Sequence, residues 1–144
     1  QSKKLCRTMT LYVFKRCLRH SLIQINNNTS STAIGFPYFA TCESPGLTNC
    51  GVTCSGLIIF SRFPIVEHSF HKFSHGVFSD SIASKGVLFA KIMVRDKYIS
   101  LFNTHMNASY VGTNINEIQA SIETREDQII ECRDFINQMI DKTN

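Results

Sequence analysis

The chain has 144 residues, of which 43% are hydrophobic and 18% are charged, and its formal net charge is +4. Its length and composition are those of an ordinary globular protein, so residues 1–144 are predicted to form a single domain. No apolar run reaches the roughly 18–20 residues of a membrane-spanning helix, which argues against a transmembrane segment. The mild basicity fits a phosphate-bearing or acidic partner or, more simply, a solvated helix face.

The first predicted element is an amphipathic helix from Lys4 to Leu22. Its apolar residues recur at three- and four-residue spacing, and the basic residues lie elsewhere around the helix. A helix packed against a sheet explains this pattern, and a membrane-binding helix is the alternative. The apolar positions are Cys6, Met9, Val13 and Cys17.

Several shorter apolar segments that follow are predicted to be strands. Pro37 cannot donate to a sheet ladder, so Phe36–Ala40 is placed at a sheet edge or at the start of a strand. Residues 42–54 contain proline and glycine and are predicted to be a long loop. Residues 95–97 form a short polar turn, which makes the strands on either side of it a hairpin. The four clearest strands are Gly56–Ser61, Ile65–Phe70, Val87–Val94 and Tyr98–Asn103.

The last predicted element is helical, as one long helix or two, between Ile115 and Ile140. Its apolar residues follow a helical period, and residues 125–127 with Glu131 supply the polar face. Strands that pair through hairpins, with helices before and after them, indicate a layered α/β domain in which a mixed sheet is flanked by helices. The predicted apolar face consists of Ile118, Ile122, Ile129, Cys132, Ile136 and Ile140.

Polar side chains lie at the ends of these strands and are predicted to meet at one rim of the sheet. Lys85 and Gly86 open one strand, and His105 follows the end of the next. A histidine there can donate to a phosphate oxygen or protonate a leaving group near neutral pH, with a structural role as the alternative. Asp80 and Lys85 could form an ion pair that holds a cation against a phosphoryl group or releases it, which would make a switchable anion site. A turn followed by an ordinary surface lysine is the other interpretation.

Two groups of metal-ligand residue types are weak candidates. The spacing of His68, His71 and His75 fits a helix face, but the segment is predicted to be a strand followed by a loop. On a strand, residues 68 and 71 would face opposite sides. The three cysteines within residues 42–54 lack the C-x2-C spacing and the nearby histidine pair of a zinc site. We therefore predict no metal site from these residues.

The cysteine count bears on the cellular compartment. The chain has six cysteines, and the three within residues 42–54 favour an oxidising compartment. A disulfide that involves this loop is expected, and the sequence does not give its connectivity. Glycosylation sequons that begin at Asn27, Asn28 and Asn107 are compatible with secretion. The expectation is therefore a secreted or membrane-associated protein on the extracellular side.

Four segments resemble the motifs of one enzyme family. Residues 55–65 read S-G-L-I-I-F-S-R-F-P-I and resemble the segment S-G-L-x-x-x-S-R-(F/Y)-P-I of neutral sphingomyelinases. Residues 80–86 resemble the family's D-x-L-A-S-K-G, and residues 103–108 resemble its T-H-L-x-A. Arg125 and Gln128 are similar to an R-x-x-Q at the start of the next helix. The chain thus resembles the neutral sphingomyelinases of the endonuclease/exonuclease/phosphatase superfamily, which have the DNase I-like fold.

The resemblance implies an activity and roles for four residues. It implies a Mg2+-dependent phosphodiesterase that cleaves sphingomyelin in membranes to ceramide and phosphocholine, bound peripherally at the extracellular side. His105 matches the family's phosphate-contacting histidine. Asp80 and Lys85 match an aspartate–lysine pair that switches the active site in some members. Asn107 matches a position near the substrate.

Several motifs of that family have no counterpart in residues 1–144. These are an Asn and an L-x-E-V motif upstream, and a G-D-x-N strand and an Asp-His pair downstream. We therefore expect a central fragment with a partial sandwich, inactive alone, whose Mg2+ ligands lie outside it. The alternatives are another hydrolase of the superfamily, such as a nuclease or an inositol-phosphate phosphatase, and a non-catalytic lipid-binding remnant. Nucleic acid is not an expected partner, because the basic residues cluster in the first predicted helix.

Overall fold

The computed structural model describes residues 12–15, 35–42, 55–109 and 114–142, the first of these ranges as backbone only. Within these ranges the chain forms two antiparallel three-stranded sheets and one long helix. The elements are β1 Tyr12–Lys15, β2 Tyr38–Thr41, β3 Leu57–Ser61, β4 Ile65–Lys72, β5 Gly86–Val94, β6 Lys97–His105 and α1 Ile115–Asp141. The strand orders are β1-β3-β2 and β4-β5-β6, and a short 3-10 turn, Phe78–Ile82, lies between β4 and β5.

The first sheet corrects the prediction of a helix over Lys4–Leu22. Residues Tyr12–Lys15 are a strand that pairs with β3 from Tyr12 opposite Phe60 onwards. Aromatic and β-branched residues such as those at positions 12–14 favour strands, and pairing with a central strand outweighs the local helical spacing. The rest of the predicted helix lies outside the described residues. On the other side of β3, strand β2 begins directly after Pro37 at the sheet edge, as predicted.

The second sheet is built around the predicted hairpin, which is confirmed. Strands β5 and β6 pair without interruption from Gly86 opposite His105 to Val94 opposite Lys97. The turn between them is Arg95–Asp96, and Arg95 adopts a φ of 56°. A positive φ at the first turn residue but not at the second is the pattern of a type II′ turn, whose twist suits a tight hairpin.

The two faces of β5 serve two different cores. Leu88, Ala90 and Ile92 pack with Leu57 and Ile59 of β3, so one core lies between the two sheets. The alternate residues of β5 face the helix and form a second core. The domain is therefore layered as sheet, sheet and helix, which confirms a partial α/β sandwich. The second core contains Phe73, Val87, Phe89, Phe135 and Met139.

Helix α1 is continuous, and its packed face differs from the one that was predicted. Three of the predicted core residues are substantially exposed: Ile122 at 37%, Ile129 at 57% and Ile140 at 41%. The prediction was wrong there because the packed stripe is partly polar and is buried through hydrogen bonds, which hydrophobic spacing does not detect. No helix in the described ranges is long and apolar enough to cross a membrane. The buried residues of α1 are Ser121, Thr124, Gln128, Phe135 and Met139.

Candidate active site

The hairpin register places the predicted site residues at one end of the second sheet. Gly86 is paired with His105, so Lys85 directly precedes the position opposite the histidine. The loop that follows His105 contains Asn107, which is buried. The three segments that carry these residues therefore meet at the end of the hairpin remote from its turn.

Asp80 and Lys85 form a buried ion pair. Lys85 Nζ lies 2.6 Å from Asp80 Oδ2, and the two side chains are only 5% and 9% exposed. Lys85 Nζ also donates to the carbonyl of Met106 at 3.0 Å, and the backbone N–H of Ala108 donates to Asp80 Oδ2 at 2.6 Å. A buried pair tolerates its desolvation only when such further hydrogen bonds satisfy it. Lys85 is therefore not an ordinary surface lysine.

The turn that carries Asp80 is held in shape by local contacts. Phe78, at its start, has a φ of 56°, and Ser81 Oγ donates to the carbonyl of Phe78 at 2.6 Å. A Cβ at Gly76 would lie 2.9 Å from the backbone oxygen of Asp80, so a larger residue there would displace the turn. The turn thus fixes the backbone from which the Asp80 carboxylate reaches Lys85.

His105 has a separate anchor between the ends of the two sheets. Its Nδ1 lies 2.9 Å from the carbonyl oxygen of Ser55. A carbonyl can only accept, so Nδ1 carries the proton in this bond, and Nε2 is the nitrogen that gains a proton when the ring becomes charged. Gly56 has a φ of 68°, which a residue without a Cβ adopts readily, and it turns the chain between Ser55 and β3.

Asn107 is held inside the protein by hydrogen bonds on several sides. Its Oδ1 accepts the backbone N–H of Val77 at 3.1 Å, and its Nδ2 donates to the carbonyl of Ala108 at 3.0 Å. Its own backbone N–H donates to Gln128 Oε1 of α1 at 2.8 Å. In this structure Asn107 therefore ties the loop to its surroundings, and its contact with substrate stays a prediction.

Two of the three histidines considered for metal binding contact the helix. His71 Nε2 lies 3.0 Å from Glu131 Oε2, and its ring stacks on Phe135 with centroids 5.4 Å apart. His75 Nε2 lies 3.4 Å from Asp127 Oδ2. Strand β4 extends to Lys72, two residues beyond the predicted end at Phe70, so it contains both residue 68 and residue 71. These contacts connect β4 and the following loop to α1.

The described residues do not themselves form a magnesium site. Among residues 12–15, 35–42, 55–109 and 114–142, no three His, Cys, Asp or Glu side chains are grouped so that they could hold an ion. Hard divalent cations need several oxygen ligands, and the only carboxylate in the ion pair is already bonded to Lys85 and Ala108. The described donor set thus does not fit Mg2+.

The two described cysteines have distinct surroundings. Cys42 is buried, and its Sγ accepts a hydrogen bond from Ser55 Oγ at 3.0 Å. Partial burial raises the pKa of the Cys132 thiol, against a hydrogen bond with Thr104 that lowers it. Cys50 and Cys54 lie outside the described residues, so the disulfide expected in that loop stays a prediction.

A small cleft opens beside the ion pair. Its volume is about 60 Å³, and Lys72, His75, Ser81 and Lys85 contribute to its lining. Pockets for small molecules usually hold about 300–1,000 Å³. The cleft is therefore too small to seat a lipid substrate by itself.

Sequence reasoning did not assign the residues that support the site. Ser55 orients His105 through a backbone carbonyl, and Met106 contributes another carbonyl to Lys85. Backbone groups of this kind leave no signature in residue types. Gln128 was visible only as part of the R-x-x-Q resemblance, which gave it no role.

Comparisons with known proteins confirm the resemblance to sphingomyelinases. A sphingomyelinase of Dictyostelium discoideum is 37% identical over 103 residues, which cover 65% of this chain and 22% of that protein. The chain thus spans less than a quarter of the length of this relative. No family model matches the chain.

Solved structures confirm the DNase I-like fold. A Staphylococcus aureus beta toxin superimposes with a TM-score of 0.72 at 19% identity, over 96% of this chain and 50% of the toxin chain. A mutant of the same toxin with bound magnesium ions superimposes with a TM-score of 0.62 at 22% identity, over 72% of this chain and 38% of the toxin chain. At these identities the toxins show the fold alone.

Proposed function

We propose that the full-length protein is a phosphodiesterase that hydrolyses sphingomyelin to ceramide and phosphocholine. The observation that carries the proposal is the placement of His105 and the buried Asp80–Lys85 pair at one end of the hairpin. Similarity to a protein named sphingomyelinase supports the choice of substrate. In this reaction water attacks phosphorus, the bond from phosphorus to the ceramide oxygen breaks, and that oxygen takes up a proton.

His105 is the residue that we assign to the phosphate. Because its Nδ1 proton is held by Ser55, the protonated ring presents a second proton on Nε2. That proton can stabilise the charge that develops on a phosphate oxygen, or it can be transferred to the leaving ceramide oxygen. The anchor on Ser55 fixes the ring, so that little orientation is lost during the reaction.

Lys85 is the second cation at this end of the sheet, and Asp80 controls it. In the observed arrangement, the ammonium group is bonded to Asp80 and Met106. We assign this arrangement to the closed state of the pair. Release from Asp80 would free the ammonium group for an anionic phosphate, which it binds as a point charge. Asp80 and Lys85 would thus act as a switch.

Magnesium remains part of the proposal on other grounds. Support comes from the family resemblance and from the beta toxin with bound magnesium ions. A bound Mg2+ would neutralise phosphate charge and activate water. The described residues do not supply its ligands, so we expect these in other parts of the full-length protein.

The surroundings of the reaction follow from the substrate. Sphingomyelin lies in membranes, so we expect peripheral association with a membrane surface at the extracellular side, either as a secreted or as a membrane-associated protein. The six cysteines and the glycosylation sequons of the chain are compatible with secretion. Nucleic acid is not an expected partner, and the prediction that residues 1–144 are a central fragment also stays open to test.

The test is the His105→Ala variant of the full-length protein, assayed by phosphocholine release from sphingomyelin vesicles. Loss of a group that donates to the phosphate should lower turnover at least about 100-fold. His68→Ala provides the matched control, because His68 is exposed on β4. Circular dichroism of both variants should match that of the unaltered protein.

The outcomes separate the alternatives. Near-normal turnover by His105→Ala would remove His105 from the site. Inactivity of the unaltered protein on sphingomyelin, with hydrolysis of DNA or an inositol phosphate, would favour another hydrolase of the superfamily. Vesicle binding without hydrolysis of any of these substrates would favour a lipid-binding protein.

A further inference from the structure

Gln128 is the most deeply buried polar side chain of helix α1. It is 1% exposed, and it lies on the helix face that packs against the second sheet. A buried amide costs free energy unless its oxygen and nitrogen are both bonded. Its oxygen accepts from the backbone N–H of Asn107 at 2.8 Å, and its nitrogen donates to the carbonyl of His75 at 3.1 Å. One side chain of the helix therefore joins two loops.

The first of these loops holds the ion pair on both sides. The carbonyl of Met106 accepts from Lys85 Nζ, and the N–H of Ala108 donates to Asp80 Oδ2. Asn107, between them, is the residue whose N–H is bonded to Gln128. The position of that single N–H thus sets where the carbonyl before it and the N–H after it can lie.

The second loop leads to the turn that carries Asp80. The carbonyl of His75 is fixed by Gln128, and the N–H of Val77 donates to Asn107 Oδ1 at 3.1 Å. Gln128 and Asn107 therefore connect the two loops, directly and through each other. Both ends of the ion pair are positioned from the same point on the helix.

A weaker contact of the helix with the same loop lies nearer the surface. Arg125 Nη1 donates to Ser109 Oγ at 2.7 Å and to the carbonyl of Asn107 at 3.4 Å. Arg125 is half-buried, whereas Gln128 is fully enclosed. Of these two helix residues, Gln128 is therefore the one whose bonds are protected from water.

We propose that Gln128 is a positioning residue, which fixes residues 106–108 and thereby sets where Asp80 and Lys85 lie at this end of the sheet. Its role in the reaction rests on the proposed function. Its role in holding the loop does not, because that follows from the bonds between the helix and the backbone. Loss of Gln128 should loosen the loop, which directly follows His105. Turnover should then fall because His105 and Lys85 are no longer held in fixed positions for the phosphate.

The experiment compares Gln128→Met with Thr124→Val in the full-length protein by hydrogen–deuterium exchange. Methionine has nearly the length of glutamine but makes neither bond. Thr124→Val is the matched control. Thr124 is buried on the same face of the helix, and its hydroxyl donates to the carbonyl of Ala120 within the helix instead of to a loop. In Gln128→Met, peptides covering residues 106–109 should exchange about tenfold faster or more, as expected for loss of a buried hydrogen bond.

A positioning role requires that exchange becomes faster in residues 106–109 and not throughout the domain. Peptides of β5 should keep their exchange rates in Gln128→Met, and Thr124→Val should change neither region by more than about twofold. Unchanged exchange at residues 106–109, or an equal increase throughout the domain, would overturn the proposal. If Gln128→Met does not fold, Gln128→Asn removes only one methylene, keeps the amide and cannot reach both partners; it should give the same selective increase.

Turnover is measured on the same variants with sphingomyelin vesicles. We expect kcat to fall about tenfold or more in Gln128→Met with KM changed by less than about threefold, because misplacement of catalytic groups lowers the chemical step. Selective loosening with unchanged kcat would overturn the role in the reaction. If the unaltered protein does not hydrolyse sphingomyelin, the proposed function fails, and the exchange result still decides whether Gln128 positions the loop.

Discussion

The two ends of the β5–β6 hairpin have the same register but opposite environments. At the turn, Arg95 and Asp96 are exposed to solvent. At the other end, Asp80, Lys85 and Gln128 are all at least nine-tenths buried. The sheet does not need buried charges to end, as the turn demonstrates with two solvated residues. The buried ion pair at the far end is therefore not needed to end the sheet, and its desolvation supports the function that we propose for this end.

Removal of one charge from the buried end should have the largest effect on stability. Lys85→Met leaves the Asp80 carboxylate buried without its cation, which typically costs about 3–5 kcal/mol. Lys97→Met, next to the turn, removes an exposed lysine and should stay within about 0.5 kcal/mol. Urea denaturation of both variants measures the difference. A loss below about 1 kcal/mol for Lys85→Met would show that Asp80 reaches water or another cation.

Crowding the backbone at the buried end should have the next largest effect. A Cβ at Gly86 would lie 2.0 Å from the carbonyl oxygen of His71, and strand β4 would have to move. Gly86→Ala should therefore destabilise by about 3 kcal/mol, the upper end of the usual overpacking cost of about 1–3 kcal/mol. At the turn, Asp96→Ala should be nearly neutral. Thermal unfolding of both variants tests this, and equal melting temperatures would contradict the close approach.

The smallest effect is expected at the turn itself, with the opposite sign. Arg95 has a φ of 56°, which costs a residue with a Cβ about 1–2 kcal/mol. Arg95→Gly removes that cost. Glycine also gives the unfolded chain more conformational entropy, which destabilises the fold by about 0.5–1 kcal/mol, so the net stabilisation should be roughly 0.5–1 kcal/mol. Asp96→Gly has no such cost to relieve and should destabilise slightly. Urea midpoints that shift in the same direction for both variants would contradict the turn assignment.

The parts of the fold that could be predicted from the sequence are those set by residues close together in the chain. The hairpin and the strands of the second sheet were predicted because short apolar segments and a short polar turn are local signals. The helix over Lys4–Leu22 was wrong at Tyr12–Lys15, since a three- and four-residue spacing of apolar residues cannot reveal a partner strand 42 or more residues away.

The site shows where such reasoning stops. Asp80, Lys85, His105 and Asn107 were proposed from the sequence, and their roles stay predictions. The expectation that strand ends meet at one rim agrees with the pairing of Gly86 with His105. The burial of Gln128 was missed, because its partners lie 21 and 53 residues away along the chain. The neighbouring isoleucines therefore looked like the better core.

The packing of both faces of strand β5 fixes its register next to the site. Its two faces pack into separate cores, so a shift by one residue would exchange Leu88, Ala90 and Ile92 with Val87 and Phe89 and spoil both cores at once. Lys85 immediately precedes this strand. Hydrophobic packing on both sides of the sheet therefore fixes the position of the Lys85 backbone. The starting point of the side chain that carries the ammonium group does not depend on contacts within the site.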